Sequence, residues 1–294
     1  MNTPEQTSTP QSRTGSAGGE PVFLEFGRAP TEPGEILQPD ARREYPADVL
    51  ERLHADASVI VARYPQARSA LLPLLHLVQA EDGCLTPAGI EFCAVVVDLS
   101  PAEVMAVATF YSMYRRTPTG DYLVGVCTNT LCAVMGGDEI YSRLADHLGL
   151  DGPGTTDDGR VTLERLECNA ACDYAPVMMV NWEFFDNQTP EKAQRVVDDL
   201  RDGTPVTPTR GAPLCTFRET SRILAGFPDP RPGANDARPG DATLAGLRVA
   251  HDHGMRAPDP APAAPTTPEA ASDPSTHPTA TSAPSTTSTP DEEA

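Results

Sequence analysis

Four of the seven cysteines form two close pairs, and thiolates at such spacings are ligands that metal centres use. Cys127 and Cys132 form a C-x4-C pair in VCTNTLC, and Cys168 and Cys172 form a C-x3-C pair in ECNAACD. Each pair follows a short run that we expect to form a β-strand. If those strands are parallel neighbours, both pairs leave the sheet at the same edge, where four thiolates could converge on one site.

Three kinds of cysteine site compete for this pattern. Closed zinc sites favour C-x2-C pairs, although wider pairs occur, and thiol–disulfide enzymes normally carry C-x-x-C, which this sequence lacks. A binuclear iron–sulfur cluster takes two thiolates at each iron, and wider loops can wrap around its sulfides. The spacing favours iron–sulfur and leaves zinc and unmetallated thiols open. None of the six histidines lies near the pairs, so a Rieske-type site is not expected.

The residues around the two pairs divide into neighbours of the site and residues without a metal role. Glu167 and Asp173 adjoin the second pair, and we expect their carboxylates to influence a bound metal group. Cys93 lies on a predicted buried helical stripe, Cys84 follows a helix-ending glycine, and Cys215 lies in the predicted tail. These three cysteines are predicted not to be ligands.

Composition excludes several classes of function. A formal net charge of −20 argues against nucleic acid and anionic membrane surfaces as partners, since both need basic patches. There is no run of 18 apolar residues and no secretory signal pattern, so we expect a cytoplasmic protein without membrane insertion or structural disulfides. No dinucleotide-binding fingerprint, P-loop or nucleophile–base set is present. A redox centre here would therefore exchange electrons with a partner.

The apolar pattern over residues 45–115 predicts a small helical bundle. Pro73 is expected in the first turn or at a kink of one helix, and Gly83 at that helix's end. Thr86 and Pro87 predict the start of another helix, and SPAE, from Ser100, predicts a capping box. A further inward-facing stripe is expected to comprise Val104, Val107, Ala108 and Tyr111.

Residues 120–203 change to a mixed pattern. The strands YLVGV and VTLERLE flank a helix that Gly136 and Gly137 open, and two short strands and a helix from Pro190 follow. This β-α-β and β-β-α order resembles the thioredoxin-like arrangement, with the first two strands parallel through a right-handed crossover. The predicted fold class is α+β, a helical bundle followed by a thioredoxin-like domain.

Both ends of the chain are predicted to be poor in structure. Residues 1–44 resemble a disordered segment, and residues 204–294 a largely disordered tail, with nine prolines from position 258 onward. Two apolar islands interrupt the tail, at Thr220–Pro228 and Ala242–His251. They are either residual composition or segments that fold onto a partner subunit.

Four segments together carry a specific resemblance to one protein family. The segments are AVATFYSMYRRTPTG, VCTNTLC, LERLECNAACDYAPVMMVN and TPEKAQRVVDDL, and the resemblance covers about Tyr45 to Arg201, slightly over half of the chain. They resemble the E subunit of bacterial NADH:quinone oxidoreductase, respiratory complex I. The same family includes diaphorase subunits of NAD-linked hydrogenases and formate dehydrogenases, which remain an alternative, as does a zinc-stabilised interaction module of a different class.

The resemblance implies a set of expectations about chemistry. It implies one [2Fe-2S] cluster held by Cys127, Cys132, Cys168 and Cys172 in a thioredoxin-like domain. It implies electron exchange with FMN in a partner subunit that also binds NADH, within a complex attached to the cytoplasmic side of the membrane. In one respect the sequence departs from the family, because Ala170 stands where the usual CLGAC has glycine. A positive φ at this position would cost alanine about 1 kcal/mol.

We expect Glu167→Gln and Asp173→Asn each to raise the midpoint potential of the cluster by roughly tens of millivolts. At about 7 Å and an effective dielectric near 20, a carboxylate opposes reduction by roughly 2 kcal/mol, or about 0.1 V, before solvent screening. Redox titration of the two variants beside the parent protein measures the change. An unchanged or lower potential in both variants would remove the electrostatic argument.

Overall fold

The computed structural model describes residues 38, 40–234, 236 and 238–258. The disorder predicted for residues 1–37 and 259–294 therefore concerns residues outside the described part of the chain. The described residues belong to two compact units, divided between Thr243 and Leu244. In this part of the chain, four helices precede a five-stranded sheet with its own helices, and two further helices follow.

The elements alternate as the sequence predicts, with several additions. The helices are α1 (Ala47–Val61), α2 (Leu71–Asp82), α3 (Pro87–Val97), α4 (Pro101–Phe110), α5 (Thr130–Val134), α6 (Gly137–Leu148), α7 (Pro190–Arg201), α8 (Phe217–Leu224) and α9 (Asp241–Asp252). The strands are β1 (Tyr122–Cys127), β2 (Gly154–Thr155), β3 (Val161–Leu166), β4 (Met178–Val180) and β5 (Glu183–Phe185). Short 3₁₀ turns lie at Ala67–Ala70 and Cys172–Tyr174.

Local signals set the helix ends of the N-terminal bundle. Pro73 lies in the first turn of α2, and Gly83 ends that helix with φ +79°. The Thr86 hydroxyl accepts a hydrogen bond from the Gly89 amide at 3.1 Å, and Ser100 and Glu103 form the predicted capping box. These predictions are confirmed. The buried faces of the four helices form one apolar core.

The predicted inward position of Tyr111 is wrong. Helix α4 ends at Phe110, and Tyr111 takes the extended conformation with φ −102° and ψ 127°. Leaving the helical path turns its side chain away from the stripe of Val104 and Ala108, and 43% of the residue is exposed. Val104 and Ala108 are buried as expected.

The sheet has the strand order β2-β3-β1-β4-β5, and its only parallel pair among the described residues is β1 with β3. The register aligns Tyr122 with Val161 and Cys127 with Leu166. Helix α6 lies in the crossover between these two strands. The predicted parallel pairing is confirmed. Sequence patterns did not indicate β2, which was expected to be loop, or α5, which holds Cys132.

A tight turn joins β4 to β5 and connects the sheet to the chain beyond residue 203. Asn181 and Trp182 have φ +47° and +68°, as expected for a two-residue hairpin turn. The buried Asn181 side chain accepts from the Leu123 amide at 2.8 Å and donates to the carbonyls of Asp121 and Cys215, at 3.1 Å and 2.8 Å. One side chain therefore fixes the hairpin, the start of β1 and residue 215 together.

Residues 204–234 differ from the predicted tail, because part of this segment is folded onto the bundle. Thr216 and Glu219 form a capping box, and α8 packs against α2. Arg218 donates to the last carbonyls of α2, those of Glu81 and Asp82, and Arg222 pairs with Asp56 at 2.7 Å. The first apolar island thus packs on its own chain.

The second apolar island is helical and has exposed apolar side chains. Helix α9 runs over Asp241–Asp252, close to the bounds of the apolar island Ala242–His251, and Leu247 and Val249 are exposed.

No single helix of the described residues is long and apolar enough to cross a membrane. The pair α3 and α4 meets that criterion only when taken together, across a bend of 113°.

We expect Phe217→Ala to lower the free energy of unfolding by about 3 kcal/mol or more, because it removes a fully buried aromatic side chain. The Phe217 ring lies 5.5 Å from that of Trp182, and its amide donates to the Asp121 carbonyl at 2.7 Å. Denaturant unfolding followed by circular dichroism measures the loss. The matched control is Phe110→Ala at a ring that is 79% exposed. Equal unfolding midpoints for both variants and the parent would show that burial of Phe217 contributes nothing to the stability of the fold.

Candidate metal centre

The parallel pairing of β1 and β3 brings the two cysteine pairs to one edge of the sheet. Cys127 is the last residue of β1, and Cys132 lies in α5 directly after it. Cys168 follows β3 in the next loop, and Cys172 begins the 3₁₀ turn Cys172–Tyr174. We refer to Cys127 and Cys132 as the first pair and to Cys168 and Cys172 as the second pair.

Within each pair the two thiols lie close enough to interact with each other, and Cys172 also interacts electrostatically with Cys127 of the first pair. No three His, Cys, Asp or Glu side chains in the described part of the chain are placed to hold a single metal ion. The four cysteines thus stand as two neighbouring dithiol groups. A binuclear cluster needs this grouping, since each of its two irons takes two thiolates.

The two pairs differ in burial. Cys127 and Cys132 are 2% and 3% exposed and pack with Ala171, Ala175 and Val177, whereas Cys168 and Cys172 are exposed. Burial raises the pKa of the Cys132 thiol to about 11, and the neighbouring Cys168 thiol raises the pKa of Cys172. Four such thiols cannot all ionise side by side unless a cation compensates them, as metal binding does.

One backbone amide donates to a sulfur atom of the site, and one of the thiols donates to a backbone carbonyl. The Ala170 amide donates to Cys168 Sγ at 3.3 Å, and the Cys127 thiol donates to the Glu167 carbonyl at 2.8 Å. The buried Asn169 amide nitrogen has no hydrogen-bond partner among the described residues. Thiolate and sulfide sulfur atoms accept hydrogen bonds from amides such as that of Ala170, so this contact is compatible with an iron–sulfur cluster.

The two glycines that open α6 have different physical roles. Gly136 has φ +107°, which glycine adopts without strain. A Cβ at Gly137 would overlap the carbonyl oxygen of Cys127 and lie 2.9 Å from that of Cys132. The first pair therefore depends on a close approach of α6 that only glycine allows. The sequence pattern predicted the helix start and gave no sign of this contact.

Ala170 has φ +52°, a left-handed conformation that glycine adopts without strain. The backbone at Ala170 therefore has the positive φ that was expected to cost alanine about 1 kcal/mol. The residue sits between the two cysteines of the second pair, in the exposed part of the site.

The two carboxylates beside the second pair are exposed, and the three cysteines outside the pairs lie elsewhere in the fold. Glu167 and Asp173 are exposed next to the second pair, and the Asp173 carboxylate accepts a hydrogen bond from the Thr243 hydroxyl at 2.5 Å. Cys93 is fully buried in α3 and Cys84 is buried after α2. Cys215 lies 3.2 Å from the Thr220 hydroxyl. The influence of Glu167 and Asp173 on potential stays a prediction.

We expect Ala170→Gly to raise the free energy of unfolding by about 1 kcal/mol, because glycine relieves the strain of a positive φ. The matched control is Ala171→Gly, at a buried neighbour with φ −113°, where glycine removes packing and adds chain entropy. Denaturant unfolding of both variants distinguishes the two effects. A destabilised Ala170→Gly variant would contradict the assignment of strain.

Comparison with known proteins identifies the domain type. The family model described as thioredoxin-like [2Fe-2S] ferredoxin matches residues 57–201. It confirms the predicted thioredoxin-like domain and one [2Fe-2S] cluster as cofactor, in preference to zinc or free thiols. Two groups of solved structures share parts of the chain at low similarity. The match to an NAD+-reducing [NiFe]-hydrogenase includes 46% of this chain and 23% of the hydrogenase chain, at 19% identity and a TM-score of 0.42. The match to a thioredoxin-like [2Fe-2S] ferredoxin from Aquifex aeolicus includes 30% of this chain and 87% of the ferredoxin, at 21% identity and a TM-score of 0.25.

Curated relatives cover much more of the sequence. The E subunit of the NADH-quinone oxidoreductase of Mycobacterium tuberculosis is 64% identical over 246 residues, which are 84% of this chain and 97% of that protein. NADH-quinone oxidoreductase subunit 2 of Thermus thermophilus is 40% identical over 146 residues, 48% of this chain and 80% of that protein. The resemblance seen in the sequence is confirmed, and the chain belongs to the family of the E subunit of NADH-quinone oxidoreductase.

Proposed function

We propose that the chain is an electron-transfer subunit of the NADH dehydrogenase module of NADH:quinone oxidoreductase. One [2Fe-2S] cluster is held by Cys127, Cys132, Cys168 and Cys172, and it exchanges electrons with FMN in a partner subunit that binds NADH. The observation that carries this proposal is the placement of two dithiol pairs at one edge of the sheet, after the parallel strands β1 and β3. Membership of the E-subunit family supports it.

When bound, the cluster supplies a site that accepts and releases one electron at a time. The chain's own residues hold and shield this site. Gly137 brings α6 against the first pair, and the buried Val177 and Ala171 keep water from that side. The exposed second pair leaves the opposite side accessible, which an electron carrier without a substrate site of its own needs.

The surface beside the cysteines supports a protein partner rather than a small substrate. Leu131, Val134 and Met135 are all exposed, in and directly after the helix that holds Cys132. Exposed apolar side chains grouped around a functional site are typical of an interaction surface. A flavin-bearing subunit covering this surface would bring its cofactor close to the cluster. In this proposal the complex is attached to the cytoplasmic side of the membrane, and this chain is one of its peripheral subunits.

The quinone-linked complex is favoured over the diaphorase of a hydrogenase or formate dehydrogenase. The mycobacterial relatives, each named as the E subunit of an NADH-quinone oxidoreductase, match 84% of this chain at 64% identity, including most of the sequence beyond the family model. Glu167 and Asp173 place negative charge beside the second pair and, in this proposal, lower the potential of the cluster.

We expect serine at any one of Cys127, Cys132, Cys168 or Cys172 to weaken or abolish the cluster, because serine removes a soft thiolate ligand. Iron and sulfide analysis, visible absorption and EPR of the reduced protein measure its content. Addition of the flavin subunit and NADH to the parent protein then tests electron exchange, through appearance of the EPR signal of the reduced cluster.

The matched controls are Cys84→Ser, Cys93→Ser and Cys215→Ser, which we expect to retain the cluster. A folded Cys93→Ser variant without a cluster would show that the ligand assignment is wrong. A colourless parent protein that contains zinc would overturn the proposed function. An intact cluster that NADH and the flavin subunit leave oxidised would overturn the electron-exchange step alone.

A further inference from the structure

The chain returns to the cysteine site far beyond the residues that supply its ligands. The Thr243 hydroxyl donates to Asp173 Oδ2 at 2.5 Å, and the Ala242 amide donates to the Tyr174 hydroxyl at 3.3 Å. Gly240 packs so closely on Tyr174 that a Cβ there would overlap the hydroxyl. Asp173 and Tyr174 directly follow Cys172 in the 3₁₀ turn. We call residues 240–243 the latch.

The second pair is the part of the site that needs such support. Its cysteines are exposed and flank the strained Ala170, whereas the first pair lies buried against α6. Apart from the latch, the 3₁₀ turn is held by the Asn187 amide, which donates to the Tyr174 carbonyl at 2.9 Å, and by the Arg210 guanidinium, 5.5 Å from the Tyr174 ring. The latch supplies a hydrogen bond to Asp173, the residue covalently next to Cys172, and the Arg210 guanidinium also acts electrostatically on that carboxylate.

We propose that the latch positions the second ligand pair, with Thr243 acting through the Asp173 carboxylate. This inference rests on the proposed function, since it assigns a role in holding the cluster. A hydrogen bond to Asp173 restrains the backbone that carries Cys172, and it compensates part of the carboxylate's charge beside the cluster. Outer contacts of this kind orient ligands and tune metal sites. The latch lies outside residues 57–201, which the family model matches.

The shape of the latch agrees with this role. Gly240 meets the Tyr174 hydroxyl without a side chain, and the Ala242 amide donates to the same hydroxyl. Two contacts from the latch thus converge on one tyrosine, while Thr243 reaches the neighbouring aspartate. Gly240→Ala therefore displaces the latch by steric overlap, without removing the hydrogen-bonding group of Thr243.

The experiment compares Thr243→Val with Thr243→Ser in the full chain, after the cluster content of the parent has been measured. Valine keeps the shape and removes the hydroxyl, and serine keeps the hydroxyl. For Thr243→Val we expect iron release to a chelator about 10-fold faster than in the parent, the lower end of the range for outer contacts at metal sites. Its midpoint potential falls, because the Asp173 charge loses compensation. Thr243→Ser retains the parent values, and so does the control Thr207→Val at an exposed threonine.

A double-mutant cycle with Asp173→Asn tests the route of the effect. If Thr243 acts through the carboxylate, Thr243→Val lowers the potential in the parent and has a smaller effect in the Asp173→Asn background. Parent-like iron release and potential in Thr243→Val, or equal shifts in both backgrounds, would overturn the inference while leaving the proposed function intact. A parent protein without a cluster would overturn both.

Discussion

The parallel pairing of β1 with β3 is the constraint on which the cysteine site depends. In register, Cys127 stands opposite Leu166, so each strand ends at the same edge and releases its loop there. An antiparallel pair would have sent the two loops to opposite ends of the sheet. The parallel arrangement in turn requires a crossover, which α5 and α6 supply, and α6 then closes on the first pair through Gly137. The placement of the four cysteines at one edge is thus a consequence of strand topology.

The positions of the two cysteine pairs are fixed by different kinds of contact. The first pair is set by packing, since Gly137 allows backbone contact and the apolar cluster around Val177 excludes water. The second pair sits in an exposed loop where alanine occupies a left-handed position and the amide of that same residue donates to Cys168. A loop of this kind tolerates strain only where neighbouring contacts determine its path. The contacts at Asp173 and Tyr174 are of that type.

Sequence reasoning could predict what local chemistry decides. The Ser100 capping box, the end of α2 at Gly83 and the strands that carry the cysteines follow from residue type and spacing. Tyr111 could not be predicted, because the point where α4 unwinds depends on tertiary context. Helix α8 was missed although Thr216 and Glu219 have the spacing of the recognised Ser100 box. The surrounding proline-rich composition concealed it, and its burial against α2 is a long-range contact.

The segment after residue 203 connects parts of the molecule that are distant in sequence. Phe217 is buried beside Trp182 at the hairpin, and the Cys215 carbonyl accepts from Asn181. The Ser221 hydroxyl accepts from the Gln79 side chain at 3.3 Å, inside the bundle. The same segment then reaches the second pair at Thr243. A chain ending at residue 203 would keep all four cysteines and lose the contacts that fix the hairpin, the bundle and the loop of the second pair together. The two cysteine pairs are close together in sequence, whereas the contacts that support their loops come from distant parts of the chain.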